Sequence, residues 1–150
     1  MKVAISSDHA GFDLKMQVKE HLESKGYEVV VFGATNATDA YSWVEAGQLL
    51  SDSIVSGECE RGIAICGTGI GISLAVNKYK GLRCALCTNE FMARMCRQHN
   101  NAQVLAMGAR VVGKGVALGM VDAFFEEEFL GGRHGERVDQ LLEQEERFFK

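Results

Sequence analysis

The stretch Ile63–Asn77, IAICGTGIGISLAVN, decides the fold of this 150-residue chain. It begins with an apolar, β-branched run that ends at Cys66, continues with three alternate glycines and closes with apolar residues at helical spacing. This order predicts a strand, a tight loop and a helix. Because glycines let the main chain approach a ligand closely and the first turn of a helix offers free N–H donors, we expect the loop to bind an anion.

Cys66 stands where the strand gives way to the loop. A thiol near a helix N-terminus ionises more readily than a free one, and a thiolate can take a proton from carbon or attack an electrophile. N–H groups beside it would stabilise a negative oxygen. The alternative is a buried cysteine above a structural turn, since free cysteine is among the most buried residue types. The local pattern leaves both interpretations open.

Strands and helices alternate along the rest of the chain. Besides the strand that ends at Cys66, the predicted strands are 2–6, 27–32, 82–87 and 103–107. Besides the helix after the glycines, the predicted helices are 12–25, 42–56, 90–98, 115–127 and 136–149, and in the second of these we expect Trp43, Leu50 and Ile54 to face the core. The pattern predicts one α/β domain over residues 1–150: a doubly wound, Rossmann-like, five-stranded parallel sheet with helices on both faces, in three α/β/α layers.

The topology of such a sheet also indicates where a ligand binds. Ligands lie at the carboxyl ends of the strands, where the strand order reverses. Asp8 and His9 follow the first strand, and Cys66–Gly71 closes the third. We expect these two segments to lie together.

Composition limits the classes of function. The chain is 47% hydrophobic and 24% charged, which is typical of a globular domain, and its net charge of -4 argues against a general nucleic-acid surface. No apolar run is long enough to cross a bilayer, and the N-terminus enters a strand directly, so we expect a cytoplasmic protein without a membrane partner. Five cysteines cannot all pair within one chain, which favours reduced thiols.

Two familiar phosphate motifs are missing. The dinucleotide fingerprint needs a third glycine where this chain has Ile72, and a Walker loop needs a Gly-Lys pair before Ser or Thr. Alternate glycines better suit a small anion or a developing oxyanion.

A CxxC pair, Cys84 and Cys87, lies inside an apolar run. Residues three apart in a strand face opposite sides, and no second Cys/His pair at metal spacing is evident. A zinc or dithiol site is therefore disfavoured, and a thiol redox protein remains a minor hypothesis.

Other polar candidates are ambiguous on pattern alone. Asp8 and His9 could form an acid/base pair, or Asp8 could cap a helix while His9 is an exposed loop residue. His99 could be catalytic or could complement a helix C-terminus. Arg133 and Arg137 are four apart at a helix start, a spacing that suits either a shared anion or a solvated basic turn. The same ambiguity holds for Arg110, beside Gly108.

Five separated motifs occur along the whole chain: Ser7–Gly11 (SDHAG), Ile65–Gly71 (ICGTGIG), Arg97–Ala102 (RQHNNA), Gly108–Gly113 (GARVVG) and Gly131–His134 (GGRH). In these motifs and their order the chain resembles the type B ribose-5-phosphate isomerases over essentially its whole length. That family includes allose- and galactose-phosphate isomerases.

The resemblance implies an aldose–ketose isomerase that interconverts ribose 5-phosphate and ribulose 5-phosphate through a cis-enediolate, with no metal or organic cofactor. It makes Cys66 the base between C1 and C2 and Thr68 an aid to proton transfer. Main-chain N–H groups of the loop would stabilise the enediolate, from Gly67, Gly69, Ile70 and Gly71.

The resemblance also assigns the rest of the site. His99 would open the sugar ring, while Asp8 and Asn100 would bind sugar oxygens. The phosphate would be held by His9, Arg110, Arg133 and Arg137. The family builds its site between two subunits, which implies a homodimer, or a tetramer of paired dimers, with a small sugar phosphate as the partner molecule.

One departure concerns the sugar pocket. After Asp39 the family usually places Tyr-Pro, whereas this chain has Ala40-Tyr41-Ser42 and no proline at all. Tyr41 either takes the usual place after a one-residue shift or the pocket wall differs. Allose 6-phosphate or galactose 6-phosphate are therefore alternative substrates, and a non-catalytic small-anion-binding module is a less favoured function.

Overall fold

A computed structural model describes residues 1–149 and shows one five-stranded, all-parallel sheet with helices on both faces. The strands are β1 (Lys2–Ser7), β2 (Glu28–Gly33), β3 (Arg61–Cys66), β4 (Cys84–Leu86) and β5 (Val104–Gly108), in the spatial order β2-β1-β3-β5-β4. The helices are α1 (Phe12–Ser24), α2 (Trp43–Val55), α3 (Ile70–Val76), α4 (Glu90–Gln98), α5 (Lys114–Glu126) and α6 (Arg133–Phe148). The predicted fold class is confirmed.

Side chains of the central strands alternate between two apolar clusters. In β3, Ile63 and Ile65 point to one face, where they pack with α1, α4 and α5, whereas Ala64 and Cys66 point to the other face, with α2 and α3. This alternation follows from the two-residue period of a strand. The sheet is thus the middle layer of three.

The order of strands reverses between β1 and β3, which are direct neighbours with Ser7 opposite Ile65. The N–H of Asp8 continues the ladder by donating to the carbonyl of Ile65 at 3.3 Å. On its other side β3 pairs with β5, and Cys66 lies opposite Gly108. Residues that follow β1, β3 and β5 therefore meet at one edge of the sheet, as the topology predicts.

The first residue of α2, Trp43, does not lie where the sequence predicts. Leu50 is buried and Ile54 half-buried, but Trp43 is 42% exposed, so its predicted place in the core is wrong. Ser42 caps the helix, its Oγ accepting from the N–H groups of Val44 and Glu45. Trp43 therefore starts the helix at the rim of the sheet, and its indole lies against Gly71.

The last helix, α6, begins three residues before the predicted start at Glu136. Gly131 and Gly132 both have positive φ and end the preceding loop, and the carbonyl of Gly131 accepts from the N–H of His134. Val138 is the one buried residue of this helix within the described chain. No helix among residues 1–149 is long and apolar enough to span a membrane.

Candidate active site

The thiol of Cys66 lies at the base of the glycine loop. Its side chain is 3% exposed, and its Sγ accepts a hydrogen bond from the N–H of Gly69 at 3.2 Å. A main-chain N–H of the loop is thus aimed at the sulfur. The loop therefore makes a direct hydrogen bond to the thiol in addition to turning the chain from β3 into α3.

Gly69 is required for this geometry. Its φ is +81°, and a Cβ at this position would lie 2.5 Å from a methyl of Leu86 and 2.7 Å from the carbonyl carbon of Met107. A larger residue would be strained and would push the loop away from β5. Next to it, the Oγ1 of exposed Thr68 accepts from the N–H of Ile70 at 3.2 Å, which holds the first turn of α3.

Arg110 places a cation beside the same loop. Its N–H donates to the carbonyl of Gly67 at 3.0 Å, and its guanidinium lies against the Cα of Gly67, 3.4 Å from where a Cβ would stand. The side chain is exposed. A positive charge therefore stands at the mouth of the loop.

Asp8 and His9 lie on the opposite side of the switch point. The Oδ1 of Asp8, a residue 6% exposed, accepts from the N–H of Gly11 at 3.0 Å, so Asp8 does bind the start of α1, as one interpretation predicts. A carboxylate has a second oxygen, which can accept from a sugar hydroxyl.

The hydrogen bond to His9 settles which ring nitrogen carries its proton. The N–H of Tyr41 donates to the Nδ1 of His9 at 3.1 Å. An N–H can donate only to an unprotonated nitrogen, so the proton lies on Nε2. His9 thus offers its Nε2–H as a donor. We call Asp8, His9, Tyr41, Cys66–Gly71 and Arg110 the carboxyl-edge group.

A second polar group lies at the other edge of the sheet. The helix α4 starts after the carboxyl end of β4 and runs back, so His99 and Asn100 follow it at the amino end of the strands. There the guanidinium of Arg83, which precedes β4, donates to the carbonyl of Asn100 at 3.0 Å. Two more contacts hold His99 and Asn100 at this edge, and one of them comes from α6.

The start of α6 joins His99. The N–H of Leu130 donates to the carbonyl of Gln98, and the imidazoles of His99 and His134 stack with centroids 4.1 Å apart and planes 7° apart. His99, Asn100, His134 and Arg137 contribute to the lining of a cavity of about 240 Å³. We call His99, Asn100, Arg133, His134 and Arg137 the amino-edge group.

His134 is a residue that sequence reasoning missed as a site candidate. Partial burial lowers its pKa, and the neighbouring His99, Arg133 and Arg137 lower it further because each carries or can carry positive charge. The available signal was its place directly after Arg133, in the same Gly131–His134 motif.

The two groups are separated by the length of the sheet. The six residues of β3 span about 17 Å, which is longer than a five-carbon sugar. One chain therefore brings Asp8 and His9 next to Cys66, but it does not bring His99, Asn100, Arg133 or Arg137 to them.

A sequence profile described as ribose/galactose isomerase matches residues 3–141. The chain belongs to the ribose/galactose isomerase family. This isomerase is 40% identical to ribose-5-phosphate isomerase B of Escherichia coli over 97% of each chain, and 40% identical to a galactose-6-phosphate isomerase subunit of Clostridium acetobutylicum, with 94% of this chain and 97% of the relative covered.

Solved structures agree with the family assignment. A ribose-5-phosphate isomerase B from Clostridium thermocellum superimposes with a TM-score of 0.96 at 47% identity, with 99% of each chain covered. A ribose-5-phosphate isomerase B from Mycoplasma genitalium with bound ribulose 5-phosphate gives a TM-score of 0.90 at 37% identity, covering 97% of this chain and 96% of that one. The predicted class of enzyme, a sugar-phosphate isomerase, is confirmed.

In this isomerase the CxxC cysteines do not form a pair. Cys84 packs with the cluster under α2 and α3, whereas Cys87 belongs to the opposite cluster, where a hydrogen bond to the thiol of Cys96 raises its pKa. Among residues 1–149, His, Cys, Asp and Glu side chains form no group of three or more that could hold a metal ion.

Proposed function

We propose that this isomerase interconverts ribose 5-phosphate and ribulose 5-phosphate through a cis-enediolate, with Cys66 as the base. The observation that carries the proposal is the hydrogen bond from the N–H of Gly69 to the sulfur, inside a glycine loop at the switch point and beside Asp8. In this reaction the thiolate removes the proton from C2 of the aldose and returns it to C1.

The glycine loop would stabilise the intermediate. Removal of a proton next to a carbonyl moves negative charge to oxygen, and preorganised N–H donors can contribute several kcal/mol to its stabilisation. In our proposal the N–H groups come from Gly67, Gly69, Ile70 and Gly71. Thr68, whose hydroxyl is exposed at the loop, would carry protons between the two sugar oxygens.

Before proton transfer the furanose ring must open. We assign this step to His99, whose half-buried imidazole has one ring nitrogen that can accept a proton and one that can donate it. Asp8 would accept hydrogen bonds from ring hydroxyls, and Asn100 would bind the neighbouring oxygens.

The phosphate would be bound by one imidazole N–H and three arginines. His9 offers its Nε2–H because Nδ1 is occupied by the Tyr41 amide, and Arg110 stands beside the loop. Arg133 and Arg137 extend from the first turns of α6, where both side chains are exposed. In an acidic chain this local cluster supplies the positive charge that a dianion requires.

The complete site would form between two copies of the chain. Since the carboxyl-edge and amino-edge groups lie at opposite edges of one sheet, the carboxyl edge of one copy must meet the amino edge of another to place both around one sugar. The exposed apolar residues of α6, among them Leu141 and Phe148, support such an association. We propose a homodimer with two equivalent sites, which could pair into a tetramer.

The sugar preference depends on the pocket wall at Tyr41 and Trp43. The Tyr41 amide binds His9, its ring is half-buried, and the Trp43 indole lies against Gly71. The galactose-6-phosphate relative makes a hexose phosphate the second candidate substrate. Turnover of ribose 5-phosphate, allose 6-phosphate and galactose 6-phosphate, compared on purified protein, decides between them.

The proposed reaction uses no metal and no organic cofactor, since the thiolate and the loop supply both the base and the oxyanion donors. All five cysteines are free. A reduced Cys66 is needed for proton transfer, and on that ground we propose a cytoplasmic location.

Cys66→Ala tests the proposed function. We expect the rate of isomerisation to fall by about 100- to 10,000-fold, because a positioned base is lost. The exchange of the C2 proton with deuterated solvent, which NMR measures, should fall by the same factor. Binding of the sugar phosphate should survive. Cys84→Ala, which removes a half-buried thiol elsewhere, should leave the rate unchanged.

Full activity in Cys66→Ala would remove Cys66 as the base. Binding of the sugar phosphate by the unaltered protein without any C2 exchange would instead identify a non-catalytic anion-binding module.

A further inference from the structure

Lys15 is a fully buried lysine outside the residues assigned to the reaction. It is 1% exposed, and its Nζ donates to the carbonyl of Phe32 at 2.8 Å and to the carbonyl of Ala34 at 2.5 Å. The ammonium also lies 5.3 Å from the centre of the Phe12 ring. These contacts join α1 to the end of β2 and to the residue that follows it.

Neutral carbonyls and a phenyl ring are weak compensation for a buried charge. The charged form loses its hydration without gaining a carboxylate, and burial lowers the pKa of Lys15 to about 8. A methionine or leucine would fill this space at lower cost, which suggests that the two hydrogen bonds have a role beyond packing.

The carbonyls that Lys15 binds belong to a segment that leads to the site. The N–H of Ala34 donates to the carbonyl of Ser7, directly before Asp8, at 2.9 Å. Between the two carbonyls lies Gly33, with φ of +86°, where a Cβ would collide with the oxygen of Ser7. The end of β2 thus lies tightly packed beside the end of β1.

After β2 the chain continues as the loop of residues 34–42, which we call the β2–α2 loop. Asn36 orders its middle, its Oδ1 accepting from the N–H groups of Thr38 and Asp39. At its far end the Tyr41 N–H reaches Nδ1 of His9. The start of this loop is fixed by Lys15, and its end fixes the orientation of His9.

We propose that Lys15 is a positioning residue: by tying the start of the β2–α2 loop to α1, it keeps the Tyr41 amide on His9 and so holds the Nε2–H of His9 toward the substrate phosphate. The inference rests on the proposed role of His9 in binding the phosphate. Lys15 itself does not touch the substrate.

Lys15→Met tests the inference, because methionine fills the same space without donors. We expect KM for ribose 5-phosphate to rise about tenfold, the loss expected for one hydrogen bond to a charged group, with kcat within about twofold. Lys19→Met, one turn further along α1, removes an exposed ion pair with Glu23 and should change neither constant.

A second readout separates positioning from stability. In nitrogen NMR of the imidazoles, of which the chain has four, His9 should show the Nε2–H form in the unaltered protein and in Lys19→Met. In Lys15→Met it should become a mixture of tautomers. His9→Asn assigns the signal, and in the His9→Asn background Lys15→Met should raise KM no further.

Either of two results would overturn the proposed role of Lys15. An unchanged His9 spectrum, or an equal rise of KM with and without His9, would show that Lys15 does not act through His9. If Lys15→Met does not fold, Lys15→Leu, which also lacks donors, replaces it with the same readouts; failure of both to fold would assign Lys15 to stability alone. If the unaltered protein does not isomerise the sugar phosphate, the proposed function fails, while the His9 spectrum still decides the role of Lys15.

Discussion

The two edges of the sheet hold polar groups of different construction. In the carboxyl-edge group, main-chain contacts fix nearly every member: Gly69 donates to Cys66, Tyr41 donates to His9, and Asp8 continues the strand ladder. In the amino-edge group, the two arginines are exposed on α6, a helix with one buried residue among those described. One edge is held in place by main-chain contacts within a single chain, whereas the other presents exposed side chains.

This difference fits the two demands of the reaction that we propose. Proton transfer from carbon requires a base and N–H donors within narrow limits, and the strand ends supply that rigidity. Binding a phosphate tolerates more freedom, because long guanidinium side chains can adjust to a dianion.

The largest effect that we expect is a recovery of activity when two inactive variants are mixed. Cys66→Ala damages only the carboxyl edge, and the double variant Arg133→Ala, Arg137→Ala damages only the amino edge. If each site takes one edge from each copy, subunit exchange should restore about a quarter of the original activity, because half of the dimers are mixed and each has one intact site. No recovery after proven exchange would mean that each chain builds its own site.

Gly69→Ala tests the rigidity of the carboxyl edge. The added Cβ would meet Leu86 and Met107, so we expect a loss of about 3 kcal/mol in stability and roughly a hundredfold in kcat. Gly57→Ala is the matched control: its φ is +85°, but no heavy atom lies within 4 Å of the added Cβ. It should cost about 1 kcal/mol in thermal unfolding and leave kcat unchanged.

Arg137→Ala tests the amino edge by itself. We expect KM to rise roughly 10- to 100-fold with a smaller change in kcat, since the hydrogen bond that we propose to the substrate phosphate is lost. Arg147→Ala, on the same helix but beside Phe148, should leave steady-state kinetics unaltered. Equal effects of both substitutions would indicate damage to α6 rather than loss of a phosphate contact.

The smallest effect concerns acid stability of the amino edge. The pKa of His134 is lowered in the folded protein, so the unfolded chain binds more protons, and the stabilising contribution is present above the unfolded value of about 6.5 and is lost as pH falls. His134→Phe keeps a ring for stacking on His99 without the charge. The fall in Tm below pH 6.5 should therefore be shallower in this variant; a steeper fall would contradict the assignment.

Much of the carboxyl edge was predictable because its signals are local. The apolar run up to Cys66 and the alternate glycines predict strand, loop and helix, and the structure places Asp8 beside Ile65 as the topology requires. Trp43 was placed wrongly because helical spacing cannot reveal that Ser42 caps α2 and leaves the next residue at the rim. His134 was missed because stacking between two distant helices leaves no periodic trace.

The sequence by itself determined the layered α/β fold and the thiol over a glycine loop, since strand alternation, helical spacing and glycine conformations are properties of neighbouring residues. Only the tertiary structure decided that His99, Arg133 and Arg137 gather at the amino edge, far from Cys66. The reason is physical: α4 runs antiparallel to the strands and α6 begins where α4 ends, and both directions are fixed by how the layers pack.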